Sequence, residues 1–301
     1  MDSIIGAEMP QGAQCEVIVM DNASTDNTRS ICEKYFDRLP LKYCFEPRQG
    51  KSYALNTAAE VASGELMLFT DDDVDVHARW VISMWDAYQR YPKRCFFGGR
   101  VMPHWETTPP AWVLRHYTEL PHFAQLDWGD QERMAIIEKG EYFPGANSAF
   151  PKQVFAEGWR YTDAVGLLDS DARRGYIVGG EDMEFLRTIS RAGWQGVYVP
   201  SAAITHRHSA SRCTERYLRK WYMGSGMMIV RLEKDRPMSG VIFGVPRYIW
   251  KAFFLETSRY LLSRWTRSST IWLPAERRMA LHWGMLLEYR HRKTRAEMHE
   301  A

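Results

Sequence analysis

Short apolar runs alternate with amphipathic stretches along the first hundred residues. CEVIVM (15–20) is a β-branched run that reads as a strand, and the polar turn DNASTDN follows it. From Thr28 to Phe36 the spacing is helical, with Ile31, Tyr35 and Phe36 on one side. LKYCFE (41–46) alternates as a strand does, PRQGKS is a loop, and YALNTAAEVAS is an alanine-rich helix closed by Gly64. ELMLFT is a continuous apolar run, the pattern of a parallel-sheet strand buried on both faces. A helix from about His77 to Gln89 comes next. This β-α-β-α-β-α order predicts a doubly wound α/β sheet, whose ligands lie at the carboxyl ends of the strands. Two polar clusters fall at such ends: Asp21-Asn22, and Asp71-Asp72-Asp73.

Beyond residue 96 the pattern loosens. FFGGRVMPHWETTPPAWV predicts strands and loops over the site, and GEYFPGANSAFPKQVFAEGW a strand, a glycine turn and a short helix. GGEDMEFLRTISRAGW starts a helix at a Gly-Gly turn, and VYVPSAAITHRHS is a last strand. Residues 212–230 and 246–292 read as helices. There is no internal repeat.

Composition narrows the classes. The 301 residues suit one large domain or two small ones. With 39 basic and 37 acidic side chains the formal charge is +2, which favours neither nucleic acid nor an acidic partner. Five scattered cysteines without a CxxC pair read as reduced thiols of a cytoplasmic protein, not as a disulfide framework or zinc site. No apolar run approaches the roughly 18 residues of a membrane span, and MDSIIGAEMPQG lacks the regions of a signal peptide.

The candidate chemistry starts where ELMLFT runs into three aspartates. Adjacent carboxylates repel one another and are costly to leave unpaired near a core. A divalent cation removes that cost. On an extended segment Asp71 and Asp73 point one way and Asp72 the other, so an Asp-x-Asp at a strand end suits Mg²⁺ or Mn²⁺ with room left for phosphate oxygens. The alternative is that these acids cap the next helix, which accounts for one aspartate well and three poorly.

VIVMDNASTDNT, QGKSYALN, SGELMLFTDDD, GANSAF and GGEDMEF, in that order, resemble the family 2 glycosyltransferases of GT-A fold over roughly residues 15–230. The resemblance implies a mixed, mainly parallel α/β sheet with flanking helices. Residues 1–100 would be the nucleotide-sugar half, 101–230 the acceptor-binding and catalytic half, and 231–301 a helical extension. By position, Asp21 and Asn22 would read the base, although many members have two acids there. Arg48 and Lys51 would border the nucleotide, with an ordinary solvated loop as the alternative. Asp71 and Asp73 would hold Mn²⁺ or Mg²⁺, with Asp71 and Asp72 also near the ribose. Asp182 would be the catalytic base, Glu181 would stand alongside it, and Asn147 would contact the acceptor. His206 would be a third metal ligand, or else a hydrogen-bonded strand-end histidine. Asp26 reads as a helix cap.

The implied activity is metal-dependent, inverting transfer of a sugar from a nucleotide-diphosphate donor to a saccharide or lipid-linked hydroxyl. The competing readings are a nucleotidyltransferase, which would need a Gly-rich phosphate loop not seen here, and a non-catalytic binding protein. The family's pattern also begins with a strand and helix ahead of the EVIVMDN strand, which need roughly 20–30 residues more than precede Cys15. The expectation is therefore a start at an internal methionine, and an exposed sheet edge or groove. Past Pro246, Ile249, Trp250, Phe253, Tyr260 and Leu261 recur at helical spacing among Lys251, Arg259 and Arg264, and EYRHRKTR follows further on. Such helices lie on a membrane, at the inner face of the cell membrane, or pack on the catalytic domain or a second subunit. Arg212, Arg216, Arg219 and Lys220 are spaced to hold an anion or to meet solvent.

Overall fold

The computed structural model describes residues 1–166, 175–233 and 240–300, with side chains through 292. The chain divides into two compact units, one of residues 1–163 with 181–210 and one of residues 164–180 with 211–301.

In the first unit the order is α1 (Asp2–Ile5), β1 (Val17–Asp21), α2 (Thr28–Glu33), β2 (Leu41–Phe45), α3 (Lys51–Val61), β3 (Leu66–Phe69) and β4 (Val74–Val76). It continues with α4 (Trp80–Arg90), β5 (Cys95–Trp105), α5 (Ala111–His116), β6 (Arg133–Ala135), β7 (Ser148–Pro151), α6 (Lys152–Ala156), α7 (Glu181–Arg191) and β8 (Gln195–His208). Most expected strands and helices form, but in GEYFPGANSAFPKQVFAEGW the strand, β7, follows the glycine turn where it was expected ahead of it, and the spacing missed short elements such as β4, where three residues are too few for an alternation to register. Asp26 accepts the backbone N–H and hydroxyl of Thr28 in an Asx-turn that leads into α2, whose N-cap is Asn27 and not Asp26.

Six strands form the central sheet, in the order β3-β7-β5-β8-β4 with β6 also on β8, while β1 and β2 make a separate parallel pair. The mixed α/β class stands, but the balance of directions within it differs from the expectation. Only β1–β2 and β5–β8 run parallel, whereas β3–β7, β5–β7, β4–β8 and β6–β8 are antiparallel. A continuous apolar run signals burial on both faces and carries no information about direction, which the connections decide. Among the described residues strand β1 pairs with β2 alone, and β3 closes one end of the larger sheet.

Aromatic side chains fill the core of this unit. Phe96, Phe97, Phe143, Phe150, Phe185, Trp194 and Tyr198 are fully buried, and Phe150 meets Phe96 face to face and Phe185 edge-on. Each such ring removes an area from water that stabilises the fold by about 1.5–3 kcal/mol.

The second unit holds α8 (Glu215–Leu232), the hairpin β9 (Val241–Ile242) and β10 (Val245–Pro246), α9 (Arg247–Arg264) and α10 (Ser269–Glu300). Val230, Val245, Ile249, Met285, Leu286 and Tyr289 form its core. Helices α8 and α10 approach closely through Gly226 and Gly284, where a Cβ would meet the carbonyl oxygen of Leu281 at 2.0 Å and of Met223 at 1.9 Å. Arg219, read as an anion contact or a solvent-facing charge, instead bonds the fully buried Glu276 at 2.6 Å.

Candidate functional site

The ends of β1 and β2 build one wall. Buried Asp21 accepts the Tyr43 hydroxyl at 2.5 Å and the Ser24 N–H at 2.8 Å. Burial alone would raise its pKa, but these bonds more than offset that and hold it below the usual carboxylate range, while Tyr43 is pushed up to about 12. The Asn22 amide closes the following loop. It donates to the carbonyls of Glu46 and Arg48 at 3.2 and 2.6 Å and accepts the Gly50 N–H at 2.7 Å.

Within that loop, Glu46 is a site residue the sequence reading missed. Its buried carboxylate takes Arg48 Nε and Nη2 at 2.8 Å each and the Thr57 hydroxyl at 2.6 Å, which lowers its pKa to about 2. Arg48 therefore lends its charge to Glu46, and its guanidinium lies over the Tyr53 ring at 4.7 Å. The only sequence signal was an Arg two residues after a Glu at a strand end.

Lys51 opens α3 and is the junction of the site. Its Nζ lies 3.2 Å from Asp71 Oδ1, 3.8 Å from Asp182 Oδ2 and 4.0 Å from Glu181 Oε1. Burial opposes its charge, but Asp182, Asp71 and Glu181 together outweigh that and hold its pKa well above the ordinary lysine value. The strand-end aspartates and the GGED acids, far apart in sequence, are thus brought to one point.

The aspartate triplet is not extended as expected. Asp72 and Asp73 form a turn ahead of β4, so Asp71 turns to Lys51, Asp72 is exposed, and Asp73 Oδ1 lies 3.0 Å from His206 Nε2. The register of β4 on β8, Val74 opposite His206, fixes that last pair. Among the described residues no group of three or more His, Cys, Asp or Glu side chains gathers as a metal site. Asp73 and His206 nevertheless fit a cation. Two neighbouring ligands at about 2.0–2.1 Å from an octahedral ion stand about 3 Å apart, and such ions commonly complete their shell with phosphate oxygens and water.

Glu181 and Asp182 begin α7. Asp182 accepts the Gly145 N–H at 3.1 Å, and a Cβ at Gly145 would come within 2.4 Å of that carboxylate, so only glycine admits this approach. Burial first, and then the charge of Asp182, raise Glu181 to about 7 against the pull of Lys51. Burial raises Asp182 too, with Asp71 adding and Lys51 opposing. Glu181 Oε2 and Asp182 Oδ1 have no hydrogen-bond partner among the described residues, an arrangement that awaits a proton donor. Beside them, Tyr161 stacks on Phe185 at 4.1 Å, and the Asn56 side chain clasps the Tyr161 backbone with two bonds of 2.9 Å.

Asn147 lies in the interior. Expected to face an acceptor, it is fully buried, donates to the carbonyls of Arg100 and Ala202 at 3.0 and 2.8 Å and accepts Trp80 Nε1 at 2.8 Å. Its amide ties β5, β8 and α4 together. Within GANSAF it is Gly145, not Asn147, that touches the carboxylate pair.

Residues 2–159 match the family model described as Glycosyl transferase family 2. The chain is 23% identical over 186 residues to the glucosyl-dolichyl phosphate glucuronosyltransferase of Haloferax volcanii, covering 58% of this chain and 56% of that protein. It is 30% identical over 239 residues to the validoxylamine A glucosyltransferase of Streptomyces hygroscopicus subsp. jinggangensis, covering 68% of this chain and 53% of that protein. The chain spans about half the length of these curated relatives. Among solved structures, GalNAc-T7 with UDP, GalNAc and Mn²⁺ aligns with a TM-score of 0.52 at 14% identity, over 84% of this chain and 46% of that one. At that identity the likeness concerns the fold, which is GT-A.

Proposed function

Because the chain belongs to the family 2 glycosyltransferases, we propose that it moves a sugar from a UDP-sugar to a hydroxyl of a saccharide or lipid-linked acceptor in polysaccharide or glycolipid synthesis. The Haloferax relative, named for glucosyl-dolichyl phosphate, supports the lipid-linked form of the acceptor. The reaction would take place in the cytoplasm, at the inner membrane face when the acceptor is anchored there.

The observation that carries this reading is the convergence of Asp71, Glu181 and Asp182 on Lys51. Asp182 takes the proton from the acceptor hydroxyl as that oxygen attacks the sugar carbon bearing the diphosphate. Its raised pKa makes it a stronger base than an ordinary aspartate, and the Gly145 N–H fixes its orientation. Glu181 shares the proton field. Lys51 faces the leaving diphosphate, Asp21 lies at the base and ribose end with Asp71 and Asp72, and Asn22 acts by holding the loop that carries Arg48 and Lys51. Asp73 and His206, with Asp71 nearby, would hold Mn²⁺ or Mg²⁺, which when bound offsets the charge of the diphosphate. With Asp182 as the base and no second carboxylate assigned as nucleophile among the described residues, the reading is inversion, so an α-linked donor yields a β-glycoside.

The test is a panel of UDP-sugars incubated with the full chain and Mn²⁺, with released UDP as the readout. Asp182→Asn is expected to lower turnover by about 10²–10⁴-fold while UDP still binds. A variant as active as the parent overturns the assignment.

A further inference from the structure

The second unit exposes an apolar face that the reaction above does not use. On α9, Tyr248, Phe254, Leu255, Leu261 and Leu262 recur at spacings of six and seven, so they share one side of the helix, while Ile249, Glu256 and Ser263 on the other side are buried. Leu262 is 71% exposed, and Trp265, just past the helix, 89%. The β9–β10 hairpin is tied to this helix: Trp250 Nε1 donates to the Ile242 carbonyl at 3.1 Å, and the Arg247 N–H to that of Gly240 at 2.9 Å.

The hairpin tip supplies a second, independent observation. Ile242 pairs with Val245, leaving Phe243-Gly244 as a two-residue turn, and Phe243 is 76% exposed with φ at +52°. Turns of this kind favour Asn, Asp or Gly there, because a bulky side chain is strained in the left-handed region. A strained phenyl ring in solvent does nothing for the fold, and its cost points to a use outside it.

Charge identifies what covers the face. Between Gly240 and Trp272 the basic side chains are Arg247, Lys251, Arg259, Arg264 and Arg267, and the one acid, Glu256, is buried. Arg259 bonds Glu256 at 2.7 Å and Arg264 bonds Glu215 of α8 at 3.1 Å, so the positive charge this face offers rests on Arg247, Lys251 and Arg267. The exposed side of α9 therefore mixes apolar and basic groups with no acid among them.

We propose that this face docks in the plane of an anionic phospholipid surface. Phe243, Leu262 and Trp265 enter the headgroup boundary, and Arg247, Lys251 and Arg267 meet lipid phosphates. A second copy of the chain fits worse, since a two-fold pairing of this face sets Arg and Lys against Arg and Lys with no acid to separate them. No described helix is long and apolar enough to cross a membrane, so the contact lies on the surface. The inference requires nothing of the reaction proposed above.

Co-sedimentation of the full chain with vesicles tests it, using phosphatidylcholine alone or with about one-third phosphatidylglycerol. The expected result is binding to the mixed vesicles at low salt, at least about tenfold weaker on neutral ones and weakened by high salt. Phe243→Asn suits the left-handed turn, so Tm holds or rises, yet binding is expected to fall about tenfold. The pair Leu262→Gln with Trp265→Gln, both in solvent, lowers binding likewise with Tm unchanged. UDP release without vesicles is expected to be the same in all three proteins, which separates failure here from failure of the proposed reaction. The proposal is overturned by no binding to anionic vesicles at low salt, or by binding that these variants leave intact. It is equally overturned by a dimer in solution that they dissociate, which would make the face a self-interface.

Discussion

Replacing Lys51 by Met removes the cation that, among the described residues, meets Asp71, Glu181 and Asp182 together, while keeping most of its stem. A charge pair at about 4 Å is worth about 4 kcal/mol at the effective dielectric of a protein surface. Lys51 keeps a third of its side chain in solvent, so screening reduces each contact to about 1–2 kcal/mol. The sign of the pH dependence follows from Glu181, whose pKa rises from an ordinary 4.5 to about 7 on folding. Between those values the folded protein holds a proton that the unfolded chain has released. The stability this proton contributes is complete below the lower value and is lost as pH rises through the upper one. At about pH 5.5 Glu181 is mostly neutral, whereas at about pH 8.5 it is ionised and adds a negative charge facing Lys51. Lys51→Met is therefore expected to cost about 2–4 kcal/mol on the alkaline side, a fall in Tm of about 5–10 °C, and roughly half of that at about pH 5.5. Lys51→Arg, which keeps the charge, is expected to lose less at both. Thermal melts followed by circular dichroism read the outcome. An equal fall at both pH values, or a larger one in acid, would refute the electrostatic account and leave only lost packing of the lysine stem.

Three further outcomes are expected. Glu181→Gln removes a carboxylate whose ionised form is disfavoured by burial, so urea denaturation should show a gain of about 1–3 kcal/mol near pH 8.5 and none near pH 5, with reduced sugar transfer. Gly145→Ala drives a methyl group into the Asp182 carboxylate; turnover should fall about 100-fold while the melting curve changes little. Asn147→Ala strands Trp80 Nε1 and two buried carbonyls. It should cost about 2–4 kcal/mol in a urea titration and leave the acceptor KM of the remaining activity unchanged, whereas a raised KM with normal stability would restore the acceptor role.

Much of the first unit was legible because its elements are written in local pattern: β-branched runs for β1 and β3, an alanine-rich stretch for α3, and a Gly-Gly start for α7. What stayed hidden depends on pairings between distant segments. Asp72 and Asp73 turn because β4 must meet β8 with Val74 opposite His206, and nothing in TDDDVDV announces that register. A lysine in a Gly-containing loop looks solvated until α3 carries it to α7. Asn147 looks like a loop polar group, yet Gly145–Asn147 passes under α4 where three backbone and indole groups need one partner. The GGED acids were found for the opposite reason, since a helix start beside two glycines constrains both charge and access locally.

The same contrast separates the parts of the site that the fold has already neutralised from those it has not. Glu46 is driven to about 2 by Arg48 and Thr57, and Asp21 is held down by the hydrogen bonds of Tyr43 and Ser24, so both carboxylates are already supported by donors within the fold. Among the described residues Asp71, Glu181 and Asp182 share a single ammonium group, and when all three are ionised these four groups keep two negative charges in excess. Burial makes that excess costly, which is why Glu181 and Asp182 shift upward although they stand at a helix N-terminus, where the dipole favours anions. A group kept under such pressure gives up the cost whenever a proton reaches it. An incoming hydroxyl is one source of that proton, so the electrostatics that weaken the fold here also make its carboxylates better bases. The loop built by Asn22, Glu46 and Arg48 then has a definite task. It fixes Lys51 close enough to keep the cluster folded, yet leaves it too short of charge to silence it.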